Sequence, residues 1–292
     1  MGPSDVDLSR KANQLRMDTL KLCVRAGTGH VTSCMSCAEI MAVLYFSGLM
    51  AHDPANPNWD ERDRFILSKG QASPILYAAL ADRGFFPRTW LDRFVRGDDG
   101  HGRNAPFGVH LQSTVPGVEF TTGSLGHGLG YAAGVAKAAK LDGKNRFTFV
   151  LLGDAELYEG SNWEVAMFAA HHQLSHLIAI VDRNRMGTNG YTETINGLEP
   201  LDEKFRAFGW SAVHVDGHAV DSLQHAVALA KDTAATSQRP HVIIAATTKG
   251  RGIKSMTDTL YLHGTAPEGD KAVRAVAELE SFIAEQELTL TR

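Results

Sequence analysis

Two short apolar runs organise the middle of the chain: Phe147-Thr148-Phe149-Val150-Leu151-Leu152 and Leu177-Ile178-Ala179-Ile180-Val181. Both are too apolar and too short for surface helices, a pattern that predicts buried parallel strands. Between them Ser161 to His172 can form a helix, so the unit reads strand, helix, strand. A right-handed crossover then places both strand C-terminal ends on one edge of the sheet, where ligands of α/β proteins bind. The first run ends on Gly153-Asp154-Ala155-Glu156 and the second on Asp182-Arg183-Asn184. Asp154 and Asn184 are therefore predicted to converge. A carboxylate with an amide oxygen is hard-oxygen chemistry, suited to Mg²⁺ or Ca²⁺ carrying a phosphate-rich ligand.

The remaining pattern extends this unit in both directions. Helices are predicted over Asp5 to Ala26 and about Ser36 to Gly48, interrupted by Gly27-Thr28-Gly29-His30. A polar connector, Asn56 to Asp63, leads to a strand over Arg64 to Ser68, a turn at Lys69-Gly70-Gln71 and a helix over Ala72 to Arg83. Phe94 to Thr114, rich in Gly and His, reads as a long loop of the kind that serves a site. Thr121 to Gly128 opens a Gly- and Ala-rich helix that runs to Leu141 and must pack closely. A strand around Val213, a helix over Val220 to Thr233 and a strand over Val242 to Thr247 follow. The loop Lys249 to Asp270 and an amphipathic helix over Lys271 to Glu287 close the pattern. With no internal repeat or low-complexity linker, residues 1–292 read as one α/β domain, a mainly parallel sheet with helices on both faces.

Composition narrows the class without changing it. Apolar residues make up 43% and charged residues 21% of the 292, ordinary for a soluble enzyme with a sizeable core. The net charge of −4 and the lack of a long basic block argue against nucleic acid or an anionic membrane as partner. Met1 to Lys11 lacks an apolar signal core, and no run reaches a membrane-spanning length, so a cytoplasmic location is expected. Cys23, Cys34 and Cys37 fit a reducing compartment. Cys34 and Cys37 have redox-like spacing, but with no second pair they read as buried helical thiols.

Glycine-rich turns between strands and helices let backbone N–H groups approach phosphate oxygens. Three occur here: at Gly70, at Gly123 to Gly128, and at Gly153-Asp154-Ala155. No P-loop pattern is present. A dinucleotide reading fails too, because Val118-Glu119-Phe120 is a weak strand ahead of Gly123.

Together these motifs resemble the thiamine-diphosphate-binding half of transketolases. The resemblance runs from Gly29-His30 to His263-Gly264, nearly the whole chain. It implies a thiamine-diphosphate-binding fold, with Mg²⁺ (or Ca²⁺) held by Asp154, Asn184 and the backbone carbonyl of Met186. Glu159-Gly160 continues the motif that begins at Gly153-Asp154, and Ala155 replaces its middle glycine at the cost of one methyl group. The resemblance also implies cofactor contacts from Gln71, Gly123, Ser124, Leu125, Gly153, Asp154, Ala155, Glu156, Asn184 and His263, with Leu125 against the pyrimidine. Of thirteen histidines, His30, His110 and His263 match the family's catalytic, substrate-facing set; imidazoles suit a site that binds hydroxyls and passes protons near neutral pH. His101 is an alternative to His110, but lies too far from Pro116.

One departure stands out. Where the family has Ser-x-Gly-His, this chain has Ser68-Lys69-Gly70-Gln71, and Gln71 can donate a hydrogen bond but cannot titrate. Full-length transketolases are more than twice as long, and their second domain supplies the carboxylate that activates the cofactor and the grip on sugar phosphate. The resemblance therefore implies the N-terminal subunit of a split transketolase, completed by a separate C-terminal subunit. Its reaction would transfer a two-carbon ketol unit from a ketose, as a phosphate, to an aldose. A heterotetramer with two copies of each subunit is expected, and the chain by itself can homodimerise. Two alternatives stay open: a carboligase subunit using a 2-oxo acid donor, and a non-catalytic cofactor-binding or regulatory subunit.

Overall fold

The computed structural model describes residues 3–96, 107–259 and 264–290. Five strands, β1 (Arg64–Leu67), β2 (Thr148–Gly153), β3 (Leu177–Arg183), β4 (Ser211–Asp216) and β5 (His241–Ala246), form one sheet in the order β1-β2-β3-β5-β4. Every pairing is parallel. Among the described residues ten helices accompany them: α1 (Asp5–Ala26), α2 (Val31–Met35), α3 (Ala38–Phe46), α4 (Ser73–Arg83), α5 (Gly128–Leu141), α6 (Gly160–His171), α7 (Thr192–Ile195), α8 (Leu201–Ala207), α9 (Val220–Ser237) and α10 (Asp270–Leu290).

The strand sequences sort their side chains onto two faces with period two. Phe65, Leu67, Phe149, Leu151, Ile178, Ile180, Ile243 and Ala245 join a core built with α1 to α4, α9 and α10. Ile66, Val150, Leu152, Leu177, Ala179, Val181, Val242 and Ile244 join a second core beneath α5, α6 and α8. A sheet buried on both sides needs no polar alternation, which is why β2 and β3 read as continuous apolar runs. The expected α/β architecture is present. The predicted Ser36 to Gly48 helix is α3, and a further short helix, α2, precedes it across Ser36-Cys37. α8 and the 3₁₀ turns at Arg88–Arg93 and Ala155–Tyr158 had no clear periodic signal, being too short to show one. The close packing expected of α5 is real: Leu129, Ala132, Ala133, Ala136 and Ala139 are all buried. All three cysteines are buried free thiols. Among the described residues, no helix is long and apolar enough to cross a membrane.

Local chemistry sets the helix ends. Ser4 caps α1 by accepting from Asp7 N–H at 3.2 Å while its own N–H donates to Asp7 Oδ2 at 3.1 Å. A buried charge cluster then ties α1 to the rest: Arg16 donates to Glu39 Oε2 at 2.5 Å and to the Met35 carbonyl at 3.1 Å. His218 Nδ1 lies 3.1 Å from the same carboxylate. Burial pushes the Glu39 carboxyl up, but Arg16 and His218 outweigh it and hold the group at about 2. The folded value lies below the usual 4.5, so this stabilisation is present above pH 4.5 and lost as pH falls towards 2. Glu39→Gln is expected to flatten the pH dependence of stability across that window. Urea midpoints measured through it provide the check; an unchanged slope would mean the carboxylate contributes nothing to acid denaturation.

Candidate functional site

The strand pairing decides what meets at the sheet edge. Gly153 is in register with Asp182, so the residues after each strand emerge side by side. Asp154 Oδ1 accepts the Ala155 N–H at 2.8 Å, and Oδ2 accepts from Arg183 at 3.0 Å and from the Arg185 N–H. Arg185 reaches that position only by adopting a left-handed φ of 65°, a conformation that costs a non-glycine residue free energy and clusters at functional sites. Asn184 Oδ1 accepts the Met186 N–H at 3.1 Å. Asp154 is thus tied to the backbone of Arg185, which lies in the chain between Asn184 and Met186. Burial, followed by the neighbouring Asp182, raises the Asp154 carboxyl despite Arg183.

Lys249 stands over this oxygen cluster, its ammonium 3.3 Å from the Met186 carbonyl and 3.5 Å from that of Gly187. Burial depresses this amine to about 8, even with Asp154 nearby. Beneath it, Asp182 is fully buried and accepts from Ser36 Oγ at 2.6 Å, from Thr247 Oγ1 and from the Lys69 ammonium. Lys69 also donates to the Ser33 carbonyl at 2.9 Å. Although burial opposes its charge, Asp182 holds the Lys69 ammonium above the usual lysine range. Sequence reading passed over Lys69, Asp182 and Lys249. The available signal was a buried strand ending on a carboxylate, which requires a counter-charge.

The three glycine turns lock together. At Gly70 a Cβ would stand 2.5 Å from the Thr122 carbonyl carbon and 2.6 Å from Gly123 N. Only glycine permits that approach. Thr122 Oγ1 donates to the Leu67 carbonyl at 2.7 Å, and Gln71 Nε2 donates to the Gly123 carbonyl at 3.0 Å. Ser124 is exposed and Leu125 half-buried on the same turn. Glu156, expected to meet cofactor, is buried, and its carboxylate already accepts from Ser68 Oγ (2.5 Å), Gly126 N–H (3.0 Å) and Gly153 N–H (3.1 Å). The Ala155 methyl lies towards Gly187, where a Cβ would stand 3.4 Å away.

The histidines gather beside these turns. His30 and His110 have ring centroids 5.6 Å apart. His110 backs onto Gly123, where a Cβ would meet its ring at 2.8 Å, and its loop is fixed by Ser73 Oγ donating to the Val109 carbonyl at 2.7 Å. Gly264 faces His30 Nε2, with a virtual Cβ 3.2 Å away. His263 and His101 lie outside the described residues. Burial, then the positive fields of His110 and Lys249, holds His30 down at about 4, so its ring is neutral at physiological pH. A cavity of about 780 Å³ between Ser255, Thr265 to Glu268 and α10 has none of these residues in its lining.

The profile of the transketolase thiamine-diphosphate-binding domain matches residues 8–289. The chain belongs to the transketolase family. It is 42% identical over 280 residues to a 6-deoxy-6-sulfo-D-fructose transketolase subunit of Clostridium sp. (strain MSTE9), covering 96% of this chain and 98% of that one. Against human transketolase the identity is 41% over 285 residues, covering 94% of this chain but only 42% of the relative. Transketolase from Leishmania mexicana superposes with a TM-score of 0.82 and 27% identity over 100% of this chain and 46% of that chain. The chain thus spans less than half of full transketolases and nearly all of the subunit relative.

Proposed function

We propose that this chain is the N-terminal, thiamine-diphosphate-binding subunit of a split transketolase. In this reading it acts with a separate C-terminal subunit to move a two-carbon ketol unit from a ketose phosphate to an aldose. The observation that carries the reading is the convergence of Asp154, Asn184 and the Met186 backbone at the sheet edge, in a chain that matches a transketolase subunit over almost its full length.

Among the described residues no three or more His, Cys, Asp or Glu side chains are grouped so that they could hold a metal ion. The donor set proposed for Mg²⁺ is different in kind: one carboxylate, the Asn184 amide oxygen and the Met186 carbonyl. These are hard neutral and anionic oxygens suited to a small divalent cation. The Lys249 ammonium on the Met186 carbonyl supports the fit, since that carbonyl already attracts a cation. The turns at Gly123 to Leu125 and Gly153 to Ala155 would offer backbone N–H groups to the diphosphate.

When bound, thiamine diphosphate supplies the carbanion-stabilising chemistry of the reaction. This chain's part is to fix the cofactor and manage protons. His30, neutral at working pH, can take a proton or bind a sugar hydroxyl, and His110 beside it extends the same polar wall. His263, next to Gly264, is the proposed third member.

The chain without a partner is expected to have no carboligation activity, gaining it on addition of a complementary subunit. Steady-state assays with saturating Mg²⁺ and thiamine diphosphate, paired with sedimentation to detect a complex with two copies of each subunit, make the test. Robust turnover of a ketose phosphate by this chain alone would overturn the split-enzyme reading.

A further inference from the structure

The end of β4 delivers a histidine to the segment that carries Lys249. Asp216 is in register with Ala246, so Gly217 and His218 emerge beside Thr247 and Thr248. The approach is close: the Gly217 N–H donates to the Ala246 carbonyl at 2.8 Å, and a Cβ at Gly217 would stand 2.5 Å from Thr247 Cγ2. The His218 ring is buried, with its side chain 8% exposed, and both of its nitrogens have partners. Nε2 lies 2.9 Å from the Thr248 amide nitrogen, and Nδ1 lies 3.1 Å from Glu39 Oε2. A backbone N–H can only donate, so Nε2 is an unprotonated acceptor and Nδ1 carries the hydrogen given to Glu39. Turning the ring over would put C–H groups against both partners, so the two contacts also fix its orientation.

Arg16 holds the same Glu39 oxygen at 2.5 Å, and the line of buried contacts from α1 through α3 therefore ends on Thr248. The next residue is Lys249, whose ammonium reaches the Met186 and Gly187 carbonyls at 3.3 and 3.5 Å. We infer that His218 is a positioning residue for the candidate site, fixing Thr248 through its N–H and thereby aiming the Lys249 ammonium at the sheet edge where metal and diphosphate are proposed to bind. This rests on the thiamine-diphosphate reading above and adds to it a residue that acts through Lys249. An ammonium already held in place spares the ordering cost that a mobile lysine would incur on binding an anion.

Asn and Gln divide the two ends of the imidazole between them. The Asn amide stands in for Nδ1 and still reaches Glu39, whereas the Gln carbonyl oxygen stands in for Nε2 and still accepts from Thr248. In the cofactor-free full chain, His218→Asn should raise hydrogen exchange at the Thr248 amide by at least about 10-fold and His218→Gln by no more than about 3-fold. Calorimetry with Mg²⁺ and thiamine diphosphate, the complementary subunit being present, should show binding about 10-fold weaker in His218→Asn and within about 3-fold of wild type in His218→Gln. Adding His218→Asn to Lys249→Met should weaken binding by no more than about 2-fold further, since there is then no ammonium to aim. A purely structural role would give additive losses instead. Additive losses, equal behaviour of the Asn and Gln variants, or unchanged Thr248 exchange in His218→Asn would each overturn the inference while leaving the functional reading standing. Should His218→Asn fail to fold, the ¹⁵N spectrum of the wild-type ring decides: a bare Nε2 with a protonated Nδ1 supports the inference, and a protonated Nε2 at neutral pH overturns it. Absence of cofactor binding by the wild-type complex would overturn the functional reading and this inference together.

Discussion

Asp154→Ala is expected to weaken thiamine-diphosphate binding in the presence of Mg²⁺ by at least about 100-fold, roughly 3 kcal/mol. The aspartate is the one anionic oxygen donor in the proposed metal set. Without it, the diphosphate and the Asn184 and Met186 oxygens would face an incompletely held cation. The fold should tolerate the change better than the site does. Arg183, which loses this partner, keeps Glu193, Glu199 and Thr192 Oγ1 within hydrogen-bond distance. Calorimetric titrations of wild type and variant, with Mg²⁺ and then with chelator, separate the effects. Wild-type affinity should collapse with chelator, whereas the variant should be weak in both conditions. Undiminished affinity in the variant would remove Asp154 from the metal site.

Asp182→Ala should be the most destabilising single change at the sheet edge, at about 3–5 kcal/mol, because it strands the Lys69 ammonium in the protein interior. Lys69 and Asp182 side chains are 7% and 0% exposed, and the remaining contact of Lys69 with the Ser33 carbonyl is neutral. The loss should be complete above pH 3.8, the ordinary carboxylate value, and shrink as pH falls below it, since Asp182 is held below that value despite its burial and its charge is part of the fold above it. Replacing both partners, Lys69→Met with Asp182→Leu, should recover part of the deficit, because an apolar pair leaves no unpaired charge. Denaturant midpoints decide it. A loss for Asp182→Ala below about 1 kcal/mol would mean that Lys69 finds water or another acceptor.

The parts of the fold that were legible in sequence are those where one physical cause dominates. β2 and β3 were legible because strands buried on both faces leave no polar position, although they run on past the apolar residues to Gly153 and Arg183. The meeting of Asp154 and Asn184 came with that topology. α2 was hidden because Val31 to Tyr45 is buried throughout, so neither period nor polarity marks where it ends and α3 begins. Glu156 read as a cofactor contact by its place in the motif, yet its carboxylate is directed inward; motif position does not specify which way a side chain turns. Lys69, Asp182 and Lys249 escaped for a related reason. Their partners come from segments far apart in the chain, and charge pairing across such distances leaves no local pattern. Gln71 was visible as a departure, but the fixed orientation of its amide depends on a carbonyl fifty-two residues away.

The Glu156 carboxylate, shared between Ser68, Gly126 and Gly153, has a consequence for how this protein can change over generations. One side chain ties its own turn at the end of β2 to two segments that are distant in sequence, so a drift in any one of the three is transmitted to the other two. Insertions or bulky replacements in the Ser68 to Gln71 turn cannot be absorbed locally; they require compensating changes near Gly126 or Gly153. The three loops are thus bound to coevolve as a block. New substrate preferences are easier to acquire by exchanging a side chain that projects from the block than by remodelling the block itself.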